Sequence, residues 1–438
     1  MSRFSFGKFL FLLTILQVLS CIAEGEWGLT TNLKLESVWW PQSYGDDTNN
    51  TLNRLQLIPA LSGKYGDSVR LFFKPELFLD PQNKSTEEQV FLNVGEAYYK
   101  YKTPTSSVQL GSNILNWGVT DAYNPLDVVN PRQYYDPLHA KKLGVWSMLL
   151  SHSSEYAEQE LIYIPKSQPS MLPGPNSRWL PREVYVPRTP DNDVVLLLPD
   201  NLHYTYDGRE TLNHAFDNNI AARLQWHLGS IDIGVSGYDG VALFPIVEPE
   251  VTGTIIQISP YTVIQTDPNV ILHTKSYRIH EAGFSWVSSQ WDFLLKYAGS
   301  YSQSLGDDPL LPGWMIENVM GLEKNFNIGR DGLLVAVLQY SFLHDQKEND
   351  SNLTVTEIFR RAWMYGGRFS WGDNWSYTIA GLYDTLHYSH YEEYSVARRL
   401  FDVWTLQLTA DFIAGHNDTP LGIYNSNDNY SLSLSRSF

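Results

Sequence analysis

From Tyr430 to Phe438 the chain reads Tyr-Ser-Leu-Ser-Leu-Ser-Arg-Ser-Phe, and so strict an alternation leaves few folds open. Side chains on a strand point to opposite faces with period two. Tyr430, Leu432, Leu434 and Phe438 therefore share one face, and Ser431, Ser433, Ser435 and Ser437 the other. A sheet greasy on one side and hydroxyl-lined on the other suits a closed barrel with lipid outside and water inside. The same ribbon could end a soluble sandwich, so the rest of the chain has to decide.

The opposite end points the same way. Arg3 and Lys8 flank the start of an apolar run, Phe9 to Leu19, which is too short to span a bilayer and is followed by small residues. This is the pattern of a cleaved secretory signal, residues 1–23. Cleavage after Ala23 leaves Glu24 first and removes the only cysteine, Cys21. The alternative is a lipoprotein box, Val18-Leu19-Ser20-Cys21, with Cys21 acylated. Either outcome leaves no thiol for disulfides, metal ligation or nucleophilic chemistry.

Beyond the signal no run of eighteen apolar residues occurs, so no helix is expected to cross a membrane. The chain is nevertheless 14% aromatic. A barrel spreads such a load in alternation and gathers it in two interfacial girdles. The formal charge is −17, and −19 once Arg3 and Lys8 leave. This acidity excludes nucleic acid as a partner, because phosphate backbones need basic patches.

Hairpin follows hairpin along residues 24–438, read as one barrel domain. Trp27, Leu29, Leu33, Leu35 and Trp39 share a face. Segments 53–64 and 68–79 meet at Tyr65-Gly66-Asp67, and 89–101 and 105–115 meet at Thr103-Pro104. Ala222, Leu224, Trp226 and Leu228 face lipid, and Gly229-Ser230 turns the chain into 231–238. Further pairs turn at 288–290, 329–331 and 372–374 before the last strand. The expectation is an all-β, transmembrane, antiparallel up-and-down barrel of about 16–18 strands. Its tight joints would be periplasmic turns. The outer loops would be 40–52, 116–140, 165–218, 239–250, 302–313, 344–356, 387–395 and 413–428.

Two connections stand apart. Segment 165–199 carries prolines at 165, 169, 173, 175, 181, 187, 190 and 199. It is too poor in ladder donors for a sheet, and it either caps the barrel or enters it. Segment 116–137 holds two Asn-Pro turns and the charges Asp121, Asp127, Arg132 and Asp136, which makes those four residues candidates for a constriction.

Trp117-Gly118-x-x-Asp121-x-x-Asn124-Pro125-x-Asp127-x-x-Asn130-Pro131 resembles a motif of porin-like outer-membrane barrels of Gram-negative bacteria, distantly similar to the alginate-export type. Ala222-Arg223-Leu224, Ile231-Asp232-Ile233, Gly237-Tyr238-x-Gly240, Gly321-Leu322-Glu323-x-x-Phe326 and Gly381-Leu382-Tyr383 fit in the same order. Ala410-Asp411-Phe412-x-x-Gly415, Thr419-Pro420-Leu421-Gly422, Asn427-Asp428 and the terminal Phe438 complete the series. The resemblance implies a barrel in the outer membrane of a Gram-negative bacterium, with no assigned substrate. A final strand ending on Phe438 resembles the signal read by the barrel-assembly machinery.

Parity against the lipid face places Arg70, Lys74 and Glu76 inside on one hairpin and Arg223 and His227 on another. Glu281, Asp292, Lys296, Arg360 and Arg368 follow. Mixed charges around a lumen set ion preference, although they could equally pair across strands and satisfy one another. Parity fails at Glu96 and Lys100, which fall in step with Leu92, Val94 and Tyr98, and at Asp402, in step with Leu400 and Trp404.

No enzyme is expected. His387 and His390 form the tightest histidine pair, but an exposed loop accounts for them better than a metal site. Gly234-Val235-Ser236-Gly237 is not a nucleophile elbow. Loops 345–352 and 424–429 are rich in Asp and Asn without a calcium spacing. No phosphate loop or dinucleotide fingerprint is present, and no cofactor or metal is expected. The expected function is passive diffusion of ions or small polar solutes through a charge-lined lumen, with a mild cation preference. The runner-up is a largely closed barrel that binds or displays through its loops, ahead of an outer-membrane hydrolase. The expected partners are membrane lipid, small polar solutes and the assembly machinery, and the expected state is a monomer.

Overall fold

The computed structural model describes residues 25–45, 48–181, 194–197, 199, 201–259, 262–346, 356–416 and 419–438. The signal segment, with Cys21 and Ala23, lies outside these, as do residues 182–193 and 347–355. Eighteen antiparallel strands form one sheet that closes on itself. The first strand, Glu26–Trp39, pairs with its neighbour Thr51–Tyr65 and also with the last strand, Asn429–Ser437. Closure matters because hydrocarbon offers no hydrogen bonds, so a sheet in a membrane can leave no free edge. At the seam Leu35 pairs with Leu434 and Trp39 with Tyr430, whose rings stack at 5.7 Å.

Outward residues are apolar and open: Leu408 is 56% exposed, while inward Ser433 on the neighbouring strand is 5% exposed. Aromatic contacts mark both rims, with Tyr340 against Trp363 at one and Trp375 against Tyr377 at the other. Guanidinium groups cover rings at the second rim, Arg398 on Trp375 and Arg436 on Trp404 and Phe438. Such rings suit the polar–apolar boundary of a bilayer.

The parity failures have two physical causes. Lys74 pairs with Glu96 but Pro75 pairs with Val94, so Gly95 is an extra residue in its strand, Val90–Lys102. Proline has no amide hydrogen to offer the ladder, so a bulge is a natural place for it. The bulge flips the pleat and sends Glu96, Tyr98 and Lys100 inward, the Tyr98 ring against Phe72, while Leu92 and Val94 stay outward. Asp402 lies in a turn instead, at φ 61°, next to Phe401 at φ 50°. Two joints also move. The turn expected at 288–290 falls at Trp291 and Asp292, because strand Arg278–Gln290 keeps pairing through Gln290 and Phe293. The loop expected at 387–395 is shorter, since strand Ser389–Leu400 begins inside it.

Above the barrel stands a second sheet that the alternation did not announce. Strands Val194–Leu197 and His203–Thr211 run parallel to Thr262–Ser276, and Ile246–Gln257 runs antiparallel along its other side. Thr262–Ser276 continues, after Tyr277 alone, into the barrel strand Arg278–Gln290.

A charge placed on the outward face should cost far more than one placed inward. Leu408→Arg is expected to lower stability in lipid bilayers by about 2–4 kcal/mol. Thr405→Arg, on the inward face of the same strand, should cost much less. Denaturant titration of the refolded variants checks the sidedness, and equal losses would contradict it.

Candidate functional site inside the barrel

Segment 114–144 folds into the barrel, for reasons that begin at its root. The buried Asn130 side chain donates to the carbonyls of Asn113 and Leu143 (2.9 and 2.8 Å) and accepts from the Leu115 amide (2.8 Å), tying both ends together. Asn124 donates to the Trp117 carbonyl at 2.6 Å and lies over Gly118. Gly118 has φ 113°, and a Cβ there would fall 1.7 Å from the Asn124 amide. The Trp-Gly and Asn-Pro elements thus build a closed loop.

Its apolar residues seat it. Leu115, Trp117, Val128 and Val129 pack on the inward Val145, Ile162, Ile164 and Ala221 of one wall. Across the lumen the Tyr123 ring stacks on Phe359, centroids 4.1 Å apart, beside Val319 and Met364. The segment is a chord spanning the barrel.

Polar contacts fix it at each bank. Trp117 Nε1 donates to Glu160 at 3.0 Å, and Arg223 pairs with Glu160 at 3.0 Å beside the same indole. Lys296 lies between Asp121 (2.8 Å) and Glu323 (2.7 Å), and Gln339 donates to Asp121 and accepts from the Ala122 amide. The Tyr123 hydroxyl donates to Glu317. Within the chord Asp127 binds both Arg132 and Lys142 at 2.6 Å. Lys141 reaches Glu76 at 2.8 Å.

A strap, residues 167–181, crosses above the chord. Met171 bridges to Gln133, and Ser170 accepts from the Arg132 amide. The Gly174 amide donates to Glu88 at 2.7 Å. Arg178, 3% exposed, donates to Gln42 O, Asn49 O, Asn50 Oδ1, Ser426 O and Asn427 Oδ1, and its guanidinium lies against Trp40 and Tyr44. Leu180 then joins Leu202 and, from the upper sheet, Tyr204, Val270 and Leu272. Prolines suit such a path, since few of its amides would find a ladder.

Between chord, strap and wall lies a cavity of about 230 Å³, bordered by Lys34, Arg54, Lys141, Asp136, Glu393 and Asp411 among others. His139 sits on it, with Nδ1 3.1 Å from Asp136 and Nε2 3.4 Å from Glu393. Burial alone would lower the imidazole, but hydrogen bonds and charge from Asp136 and Glu393 outweigh it and raise it to about 11. Burial would likewise raise Asp136, yet His139 brings it below the ordinary value. Glu88 behaves oppositely: burial lifts it to about 7 despite donors from Gly174 and Asn83.

The residues named from sequence divide into groups. Asp121, Asp127, Arg132 and Asp136 all sit in the chord. Glu76, Arg223 and Lys296 contact it, or share a carboxylate with it, as described. Lys74 pairs with Glu96 (3.6 Å) and His227 with Asp232 (2.7 Å). Arg70 takes the inward register beside Lys64 and Lys100, and Arg368 the inward register beside Val335 and Thr378. Glu281 is inward and buried. Asp292 is not on the wall: it occupies the tight turn at φ 64°, where a short polar side chain tolerates the left-handed region. Arg360 belongs to the turn before strand Arg361–Trp371 and is held by Asp345 and Glu357, both 2.7 Å away.

Glu160, Glu317, Glu323, Gln339, Arg178, His139, Glu393 and Asp411 were missed. Only the Asn-Pro pairs gave a local signal, because the rest meet across large sequence separations. His387 binds Asp384 at 2.6 Å, and neither it nor His390 belongs to a cluster of three donors among the described residues. In loop 424–429, Asp428 accepts from the Ile413 amide and Asn427 from Arg178, so these oxygens are already engaged. Loop 345–352 lies mostly outside the described residues.

A closed antiparallel barrel with an apolar exterior and a connection folded inward is the architecture of outer-membrane porins. The chain resembles the crystal structure of Pseudomonas aeruginosa OccK2 in complex with glucuronate: 9% identity, TM-score 0.52, 94% of this chain and 98% of that one covered. OccK2 in a second crystal structure gives 10% identity, the same TM-score and the same coverage. Acinetobacter baumannii OccAB3 gives 9% identity and a TM-score of 0.48, over 95% of this chain and all of that one. At these identities the likeness speaks for fold alone. No protein-family model matches the chain, and no curated protein matches it in sequence.

Two outcomes test the strap. Arg178→Ala leaves buried acceptors without a donor and should destabilise it by at least about 3 kcal/mol, since each bond from a charged donor contributes roughly 1.5–3 kcal/mol. Limited proteolysis should then cut within 167–181, and unchanged resistance would contradict the assignment. For Glu88 the folded carboxyl holds a proton between its ordinary 4.5 and about 7, where the unfolded chain has lost it. The contribution is therefore full below 4.5 and fades as pH rises through that window. Hydrogen exchange at 172–177, corrected for intrinsic rate, should slow on acidification, and Glu88→Gln should flatten the dependence.

Proposed function

We propose that this chain is a porin-type channel of the Gram-negative outer membrane, admitting ions or small polar solutes through a lumen narrowed by the chord. The observation carrying this reading is the chord itself: a polar, charge-anchored segment held across the interior of a closed barrel whose outside is apolar. Fixed charges of both signs at a constriction create a transverse field and set which solutes pass. Arg70, Lys74, Glu76, Arg223, His227, Glu281, Lys296 and Arg368 would contribute from the wall, and Asp121, Asp127, Arg132 and Asp136 from the chord. The overall acidity favours a mild cation preference.

The same reading takes residues 1–23 as an export signal, Phe438 as part of the strand read by the assembly machinery, and the tight turns as periplasmic. The protein would act as a monomer without a cofactor or a catalytic group. The ordered motifs support a place beside porin-like barrels similar to the alginate-export type. A second reading, a closed scaffold that binds through its exterior, draws support from the upper sheet packed on the strap.

Planar bilayers separate the two. The channel reading expects stable steps with a weakly cation-selective reversal potential. Replacing 117–141 with a short Gly-Ser linker should raise conductance several-fold. Silence from both proteins would favour the scaffold, and clear anion selectivity would overturn the charge argument.

A further inference from the structure

His139, Glu393 and Asp411 come from three separate places: the chord, strand Ser389–Leu400 and strand Trp404–Ala414. One ligand atom from each lies within 4.8 Å of the other two. We propose that these three side chains form a lumenal site for a divalent transition-metal cation of the zinc class, which staples the chord to the wall.

Three features beyond proximity carry the proposal. First, two of the three donors are oriented from behind. Asp136 engages the His139 Nδ1, the carboxylate–imidazole arrangement that supports metal-bound histidine, and Nε2 faces Glu393; a bound metal would take the place of the Nε2 proton, which passes to water. The Tyr391 hydroxyl donates to Asp411 Oδ1 at 2.8 Å and leaves Oδ2 for a ligand. Second, the site is reachable, because His139, Glu393 and Asp411, together with Asp136, border the 230 Å³ cavity. Third, the local charges are unequal. Lys34 is held by Glu36, Arg54 by Asp80 and Lys141 by Glu76, so these three cations already face carboxylates, and the Arg178 guanidinium on the same cavity is held by carbonyl and amide oxygens. Asp136, Glu393 and Asp411 share His139 between them, which leaves negative charge in excess beside the cavity.

The donor chemistry narrows the ion. One imidazole with two carboxylates suits zinc and its neighbours, whereas magnesium and calcium prefer all-oxygen shells. Three protein ligands leave at least one position open to water or a passing solute. Bound metal would tie His139, near the C-terminal end of the chord, to two wall strands and hold the constriction shut.

Binding stands apart from the channel reading, while the conductance consequence rests on it, so the test reads both. Zinc chloride is titrated by calorimetry into the detergent-solubilised barrel, with magnesium chloride as control, and zinc is then added to the protein in planar bilayers. The expectation is one zinc per chain, no comparable magnesium binding, and a several-fold fall in conductance. His139→Ala and Asp411→Asn should each weaken zinc binding at least tenfold, with both variants shown to be folded by heat-modifiable gel migration. Zinc binding that survives His139→Ala, or no zinc binding by the wild-type barrel, overturns the site. Binding without a change in conductance overturns the staple but leaves the site intact.

Discussion

Hydrogen-bond satisfaction without water is the constraint from which the rest follows. In hydrocarbon each unpaired backbone group costs several kcal/mol, so the sheet must bring its last strand back to its first. That single demand explains the pairing of Asn32 with Ser437 and the stacking of Trp39 on Tyr430. It also fixes the two-faced pattern, because every strand then has lipid on one side and the interior on the other. Side chains that could not face lipid are gathered inside, where they must find partners of their own.

The chord and the strap meet that second demand. The wall alone would leave Glu160 with Arg223, Lys296 with Glu323 and Glu317 with only the Ser300 hydroxyl. Trp117, Tyr123 and Asp121 supply donors and countercharge to them instead, and apolar contacts at both banks hold the loop where those bonds can form. Packing and polar pairing cooperate here, since neither bank is held by charge alone. Asn130 closes the root of the loop, so the chord enters the barrel as a folded object.

The wall was largely legible from the sequence because its signal is local and repeated. Eighteen strands lie at the upper end of the expected range, and the apolar stripe Trp27 to Trp39 falls outward as its parity requires. What escaped was whatever breaks the repeat by one residue. The bulge at Gly95 reversed the apparent side of Glu96 and Lys100, and left-handed turns at Asp292 and Asp402 removed two acids from the wall. The charged chord was recognisable through its Asn-Pro spacing, yet its contacts were not, because Asp121 and Lys296 lie 175 residues apart and Tyr123 and Glu317 194. The upper sheet was missed for another reason: two of its strands pair in parallel with Thr262–Ser276 across large sequence separations, which no hairpin signal marks.

Arg178 sits near the middle of the chain but grips the first connection, at Gln42, Asn49 and Asn50, together with the last, at Ser426 and Asn427. Those two connections flank the seam where the ends of the sheet meet. The guanidinium can complete all five contacts only after that meeting has happened. It acts as a latch that fastens once the ring is shut, guarding the joint where a cylinder of strands would most readily unzip and marking, by its own burial, that assembly is finished.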